Sequence, residues 1–275
     1  MPPAKSIHQV FLPLERRDKL EDYPLFARSQ AAFRGMRGWD YRTWDEPSVD
    51  ELCQARYPGI WGTYRKLPYP IQRVDLAKYM ILDTYGGFYA DLDVIPKCHL
   101  SELVGDQPYL FDWCSRKNVI ANDLMYVREP NGLPGIFDYF LSNLRRLNSI
   151  PAYRERRMRF VFHSTGPDFW TRYVKKAGLG QYVDRLSNRS FADPKQAHRN
   201  VRVAHPKFEI LHQLSWKPQV KECAVSRVER SIDQRVGAPV DPSASGNSCS
   251  KSDTDALVAA LVRVSPLCGT ANLPA

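Results

Sequence analysis

Apolar positions in this chain recur at two different periods, and the changes between them mark out the elements. Ile71, Val74, Ala77 and Ile81 return at steps of three and four, with Met80 and Leu82 widening the stripe, which predicts a helix with one buried face. Gly86-Gly87 follows and supplies the positive φ that stops a helix. The next run, FYADLDVI, predicts a short buried strand ending in Asp91 and Asp93. Side chains alternate along a strand, so this spacing puts both carboxylates on one face and Leu92 in the apolar layer behind. Upstream, 6–12 and 39–44 read as strands. The stretches 22–34, Pro47–Tyr57 and Trp61–Leu67 read as helices, with Pro58-Gly59 as the break between the last two. Downstream, Tyr109-Leu110-Phe111 predicts a strand, Pro134–Leu147 a helix, and Gly166-Pro167 the start of another. Strands alternating with helices predict an α/β fold with an open, mostly parallel sheet flanked by helices. Ligands of such sheets gather outside the carboxyl ends of the strands, where Asp91 and Asp93 fall.

Composition narrows the class. With 275 residues, 43% hydrophobic and 25% charged, the chain is an ordinary globular protein with a substantial core. One domain over 1–222 is expected, followed by a tail over 223–275 rich in Ser, Asp, Pro, Gly and Ala. That tail is read as flexible, with 238–254 disordered and a short helix at 255–264. A net charge of +9 suits an anionic partner without choosing among nucleic acid, nucleotide sugar and acidic membrane. The six cysteines form no CxxC pair and read as reduced thiols. No stretch approaches a membrane span, and the N-terminus enters a strand almost at once without a signal peptide. The arginines between 145 and 159 fit a solvated helix face or, more sharply, an anionic acceptor or membrane surface.

The chemistry sits around the acidic pair. Two close carboxylates repel each other and call for a cation, and a hard divalent ion such as Mg²⁺ or Mn²⁺ fits where a substrate phosphate completes its shell. Asp75 and Lys78 lie three apart on the helix, close enough to point together at a ligand.

The run RVDLAKYMILDTYGGFYADLDV resembles the sugar-nucleotide-binding core of glycosyltransferases containing a DXD motif. Specifically it resembles family thirty-two, which includes initiating mannosyltransferases and mannosyl-inositol-phosphoceramide synthases; clostridial glucosylating toxins carry a related core. The likeness runs in order from about residue 5 to 216 and is dense from 70 to 95. It implies a GT-A-type nucleotide-sugar-binding fold. It also implies transfer of a hexose, with retention, from GDP-mannose (favoured) or a UDP-hexose to a glycan, glycolipid or inositol-lipid hydroxyl, using Mn²⁺ or Mg²⁺. Asp75, Lys78, Asp91 and Asp93 become the catalytic set, with Asp93 on the metal and Asp91 on the ribose or on the metal through water. His212 is the further metal ligand, with His205 in reserve. The donor site takes in Ile7, His8 and Gln9 of the Ile-His-Gln run, Trp44, Gly86, Gly87, Leu92, Asn122, Asp123, Ser215 and Trp216. Read locally, His8 fits a hydrogen-bonded structural histidine equally well, Trp44 fits core packing, and Asn122 and Asp123 fit turn residues. Nucleic acid is not expected as a partner; peripheral contact with an anionic membrane is compatible. The expected setting is cytoplasmic, or a soluble catalytic fragment of a Golgi-type enzyme. The rival classes are a metal-dependent phosphotransferase or nuclease, and a non-catalytic nucleotide-sugar-binding module.

Overall fold

The computed structural model describes residues 5–13, 19–114, 119–184, 190–191, 202–204 and 207–211. All belong to one unit, Met1–Ser226. Strand β1 (Ser6–Val10) lies between β2 (Asp40–Trp44) and β3 (Gly87–Ala90) and is parallel to both. Helix α1 (Pro24–Arg34) carries the chain from β1 to β2. Helices α2 (Glu46–Arg56), α3 (Pro58–Arg65) and α4 (Pro70–Tyr85) bring it back across β1 to β3. The short β4 (Val94–Pro96) follows the Asp-Leu-Asp turn. Strands β5 (Tyr109–Cys114) and β6 (Val119–Val127) complete the far half. Here β6 is antiparallel to both β3 and β5, and β7 (Val183–Asp184) is parallel to β5, giving the order β2-β1-β3-β6-β5-β7. Three of these five pairings are parallel, so the sheet is the open, mostly parallel α/β sheet expected, with β6 as its reversed member. Helices α5 (Ile136–Asn148), α6 (Ala152–Glu155), α7 (Arg157–Ser164) and α8 (Pro167–Lys176) lie between β6 and β7. A second, antiparallel sheet pairs β4 with β10 (Phe208–Leu211), β9 (Arg202–Ala204) and β8 (Ser190–Phe191).

Strand alternation builds a core on each face of the main sheet. Val10, Tyr89, Phe111, Met125 and Val127 pack with α4 and α8 on one face. Ile7, Phe88, Ala90, Leu124 and Tyr126 pack on the other with Phe33 of α1 and with Val94, Phe208 and Ile210 of the second sheet. The apolar stripe of α4 is broader than its periodicity suggests: Gln72 and every residue from Asp75 to Leu82 are buried, because helices cover the sides that the sheet leaves open. Pro58 sits in the first turn of α3 and so opens that helix instead of separating it from α2, with Tyr57 as the junction.

The Gly86-Gly87 step has a steric origin. Gly86 caps α4 at φ 65° and ψ −159°, a region open almost only to glycine, and Gly87 has φ 89°. A Cβ on Gly87 would stand 2.4 Å from the Ser6 carbonyl oxygen of β1. Turning at this point sends β3 directly alongside β1. The ring of His8, 3% exposed, locks the same junction. Its Nδ1 accepts from Trp44 Nε1 at 3.3 Å, so Nε2 carries the proton donated to the Gly86 carbonyl oxygen at 3.1 Å. Burial, against the Gly86 hydrogen bond, lowers its pKa from 6.5 to about 4. His8 is hydrogen-bonded on both ring nitrogens, and Trp44 and Ile7 lie in the apolar cores.

Two outcomes follow from this junction. Gly87→Ala is expected to destabilise by about 2 kcal/mol or more, since it combines a forbidden φ with a backbone clash. The control Gly62→Ala, in an exposed turn of α3 with nothing within 4 Å, should be stabilising by about 0.5–1 kcal/mol. Urea unfolding of both variants decides it, and equal midpoints for the two would contradict this reading. The folded protein resists protonating His8, whereas the unfolded chain accepts the proton near pH 6.5. Stability from the neutral ring is therefore complete above pH 6.5 and lost as pH falls from there towards 4, by about 2–3 kcal/mol. Denaturation at pH 7.5 and 4.5 should show that loss in the parent and a smaller one in His8→Gln.

Candidate active site

Helix α4 and strand β3 run side by side, and their side chains meet at the carboxyl end of the strand. The Lys78 ammonium sits 2.9 Å from Asp91 Oδ1, 3.2 Å from Asp91 Oδ2 and 3.3 Å from Asp75 Oδ1. Tyr89, two residues before Asp91, donates its hydroxyl to Asp91 Oδ1 at 2.8 Å. Asp75 is held from the other side, with Asn122 Nδ2 donating to Oδ1 and Thr165 Oγ1 to Oδ2, each at 3.0 Å. Asn122 Nδ2 also reaches the Tyr79 hydroxyl at 3.2 Å, and that hydroxyl donates to the Thr165 carbonyl at 2.7 Å. The row Asp75, Lys78, Asp91 thus draws on α4, β3, β6 and the α7–α8 junction.

Burial sets the electrostatics. Asp75 is 4% exposed and Lys78 3%, while the Asp91 side chain keeps 30% of its surface. Burial raises the Asp75 pKa, opposed by Lys78 and by the Thr165 and Asn122 hydrogen bonds. Burial pulls Lys78 down, and Asp91 and Asp75 more than reverse it, so the ammonium stays protonated. Asp91 is pushed up by burial and by Asp123, with Lys78 and Tyr89 holding it towards the ionised form. The Tyr89 phenol is driven well above its ordinary value by burial, then by Asp91, with Asp93 among the further causes. Both acidic residues of the pair therefore lie within electrostatic reach of one hydroxyl.

The backbone between them differs from the strand that alternation predicts. Strand β3 stops at Ala90, and 91–93 form a tight turn in which Val94 N donates to the Asp91 carbonyl at 3.0 Å. Asp91 N donates to the Asp123 carbonyl at 2.8 Å, and the Asp91 carbonyl also accepts from Gln9 Nε2 at 3.3 Å. Gln9 Nε2 donates to Ser29 Oγ at 2.9 Å, and Ser29 Oγ to the Val94 carbonyl at 2.5 Å. Both ends of the turn are thereby tied to β1 and α1. Leu92 is buried within it, and Asp93 is partly exposed. Opposite, Phe111 pairs with Met125 and Trp113 with Ile120, so two steps along β5 match five along β6. A bulge of this kind re-aims side chains beside a site. Asn122 and Asp123 lie inside β6 at this irregularity, instead of in the turn that their residue types suggest.

Of the residues picked from sequence, the fold brings together Asp75, Lys78, Asp91, Asp93, Asn122, Asp123 and Gln9. It assigns Ile7, His8, Trp44, Gly86 and Gly87 to the core and the α4–β3 junction. His205, His212, Ser215, Trp216 and the tail from 223 lie outside the described residues. Tyr89, Tyr79 and Ser29 fall outside the residues picked from sequence, whereas Thr165 opens the Thr-Gly-Pro run whose family resemblance implies a helix start near the acceptor side. Tyr89 was accessible in principle, since residues two apart share a strand face. Thr165 and Ser29 reach the site through tertiary contacts that no local pattern announces. Cys53 and Cys98 are free thiols.

Among the described residues, no group of three or more His, Cys, Asp or Glu is arranged to hold a metal by itself. The donor set nevertheless suits a hard cation that shares its shell with substrate. The carboxylates of the 91–93 turn offer oxygen only, and two protein ligands leave room for phosphate oxygens and water. Asp91 is engaged by Lys78 and Tyr89, and Asp93 follows two residues on in the same turn.

Residues 19–110, which contain α4, β3 and the acidic turn, match the family described as glycosyltransferase sugar-binding region containing DXD motif. The chain is 29% identical over 221 residues to the mannosyl phosphorylinositol ceramide synthase SUR1 of Saccharomyces cerevisiae, covering 77% of this chain and 49% of that protein. It is 40% identical over 141 residues to CSH1, a mannosyl phosphorylinositol ceramide synthase of the same yeast, covering 50% of this chain and 35% of that one. The chain therefore spans about half the length of SUR1 or less of such relatives. Among solved structures, the PaToxG glycosyltransferase superposes with a TM-score of 0.47 at 14% identity, over 66% of this chain and 72% of that one. The acidic pair thus lies in a turn at the carboxyl end of β3, inside the stretch that is similar to the glycosyltransferase sugar-binding region containing the DXD motif.

Proposed function

We propose that this protein transfers a hexose from a nucleotide sugar to a lipid-linked or glycan hydroxyl, with GDP-mannose as donor and a phosphorylinositol ceramide as the favoured acceptor class. One observation carries the reading: a DXD turn at the carboxyl end of β3 in which Asp91 is fixed by Lys78 and Tyr89 and Asp93 follows two residues on, partly exposed. The names of the two yeast relatives, mannosyl phosphorylinositol ceramide synthases, support mannose and the inositol-lipid acceptor.

Breaking the bond between sugar and diphosphate requires that the departing negative charge be stabilised. A divalent cation, Mn²⁺ or Mg²⁺, would be held by Asp93 and would supply Lewis-acid stabilisation of the departing charge. The chain's own residues prepare that geometry. Asp93, partly exposed in the turn, is the residue assigned to the diphosphate side in this reading. Asp91, clamped by Lys78, Tyr89 and the Gln9–Ser29 ties, is fixed to accept from a ribose or sugar hydroxyl, so little reorganisation is left for the moment of reaction. Lys78 and Asp75 are sealed among protein partners and act through Asp91 as positioning residues. For retention, the acceptor oxygen bonds to the anomeric carbon on the face from which the diphosphate leaves, and the hydroxyl proton passes to a departing phosphate oxygen. No protein carboxylate becomes covalently attached.

Asp93→Asn is expected to lower release of mannose and GDP from GDP-mannose by on the order of a hundredfold or more, and chelation of divalent metal should do the same to the parent. Fold should be retained, because Asp93 is partly exposed in a turn. Metal-dependent turnover that survives in Asp93→Asn would remove the site assignment, and mass-spectrometric capture of a glycosylated side chain would remove the front-face route.

A further inference from the structure

We propose that the basic face built by the end of α5 and the start of α7 docks the protein on an anionic phospholipid surface. This deepens the proposed function and rests on its lipid-acceptor reading. Arg145 and Arg146 end α5, and Arg156 and Arg159 flank the first turn of α7; all four are exposed. Between them the chain turns through Ile150, Pro151 and Ala152, the last two exposed, so the cations border an uncharged tip.

Three observations set these arginines apart. Four others, Arg28, Arg65, Arg73 and Arg128, each pair with a carboxylate. Among the described residues Arg145, Arg146, Arg156 and Arg159 have no such partner; Arg146 donates to Asn143 Oδ1 at 3.0 Å. Second, helix stability does not account for the α7 group. Arg145 and Arg146 suit a helix C-terminus, but Arg156, Arg157 and Arg159 crowd the N-terminus of α7, whose first turn holds no acid, where the helix dipole disfavours cations. Third, the charges converge. Arg146 of α5, Arg159 of α7 and Arg172 of α8 all act on the His163 ring, which burial and these cations hold below its ordinary pKa against the pull of Asp168. Asp168 is engaged with His163 at 3.1 Å, which in turn meets the Tyr153 hydroxyl at 2.6 Å. Asp138 sits in the first turn of α5, at the other end of that helix.

The placement suits a membrane-borne acceptor. Arg159 lies about 9 Å along α7 from Thr165, whose hydroxyl donates to Asp75. Thr165 caps the end of α7 opposite the arginines, so one short helix joins the basic face to the row that positions the acidic turn. Phospholipid phosphates attract clustered arginines at short range, each contributing about fivefold in affinity, and salt screens the attraction.

Vesicle sedimentation tests this, comparing phosphatidylcholine alone with phosphatidylcholine carrying phosphatidylinositol, at low salt and with added sodium chloride. The parent should pellet with the anionic vesicles, not with neutral ones, and be released by salt. The triple variant Arg145→Glu/Arg156→Glu/Arg159→Glu should lose binding by thirtyfold or more. A control with the same charge change, Arg34→Glu/Arg37→Glu/Arg56→Glu, alters exposed arginines elsewhere and should stay within about threefold of the parent. Equal losses in the two triples, or equal pelleting with neutral vesicles, would overturn the proposal, as would tighter binding to an RNA duplex than to anionic vesicles. If the glutamate triple fails to fold, the same positions changed to glutamine give the same comparison. GDP-mannose turnover without vesicles is a separate readout: its absence sinks the proposed reaction while the pelleting result stands.

Discussion

The structure depends on one ammonium placed between two carboxylates. Lys78 lies within 3.3 Å of both Asp75 and Asp91, and neither it nor Asp75 has appreciable contact with solvent. Burying such charges is costly, and they persist only when the geometry and the added hydrogen bonds satisfy every lone pair. Here Asn122, Thr165 and Tyr89 provide that satisfaction, each from a different element. The outcome is positional: the acidic turn cannot shift without unpairing a buried charge.

The surrounding fold can be understood as what this arrangement requires. Helix α4 must be buried along most of its length for Lys78 to be shielded, and α2, α3, α7 and α8 provide the cover. The chain must reverse abruptly after α4 to bring Asp91 alongside Lys78. The two glycines permit this, and the contact of Gly87 with the Ser6 carbonyl leaves no space for a side chain. His8 closes the junction behind as a neutral donor to Gly86. The Gln9 and Ser29 ties then fix the turn from the opposite face of the sheet. The same strand, β1, thus restrains both the junction and the turn through side chains that alternate between its faces.

How much of this could be read in the sequence follows physical lines. The helix with Asp75 and Lys78, the glycine stop and the acidic pair were legible because each is encoded within a few residues, by periodicity, by φ and by spacing. The turn at 91–93 was not. Alternation predicts a continuing strand, and what ends β3 is the capture of the Asp91 carbonyl by Val94 and Gln9, one of them 82 residues distant in sequence. Asn122 and Asp123 look like turn residues and lie in a strand, because the β6 bulge and the demand of Asp75 for a donor outweigh local preference. His8 and Trp44 match a donor-site pattern, yet their polar atoms bond to each other and to Gly86. Thr165 illustrates the remaining gap, since nothing in its surroundings announces that its hydroxyl serves a carboxylate 90 residues earlier.

The direct test of the account is a double-mutant cycle on nucleoside diphosphate binding. Calorimetry with GDP and Mn²⁺ would compare the parent, Lys78→Met, Asp91→Asn and the double variant, each verified as folded. If Lys78 works through Asp91, the double variant binds no more weakly than the worse single one. Losses that simply add would mean that Lys78 and Asp91 meet the ligand independently, contradicting the claim that their pairing is what makes the site.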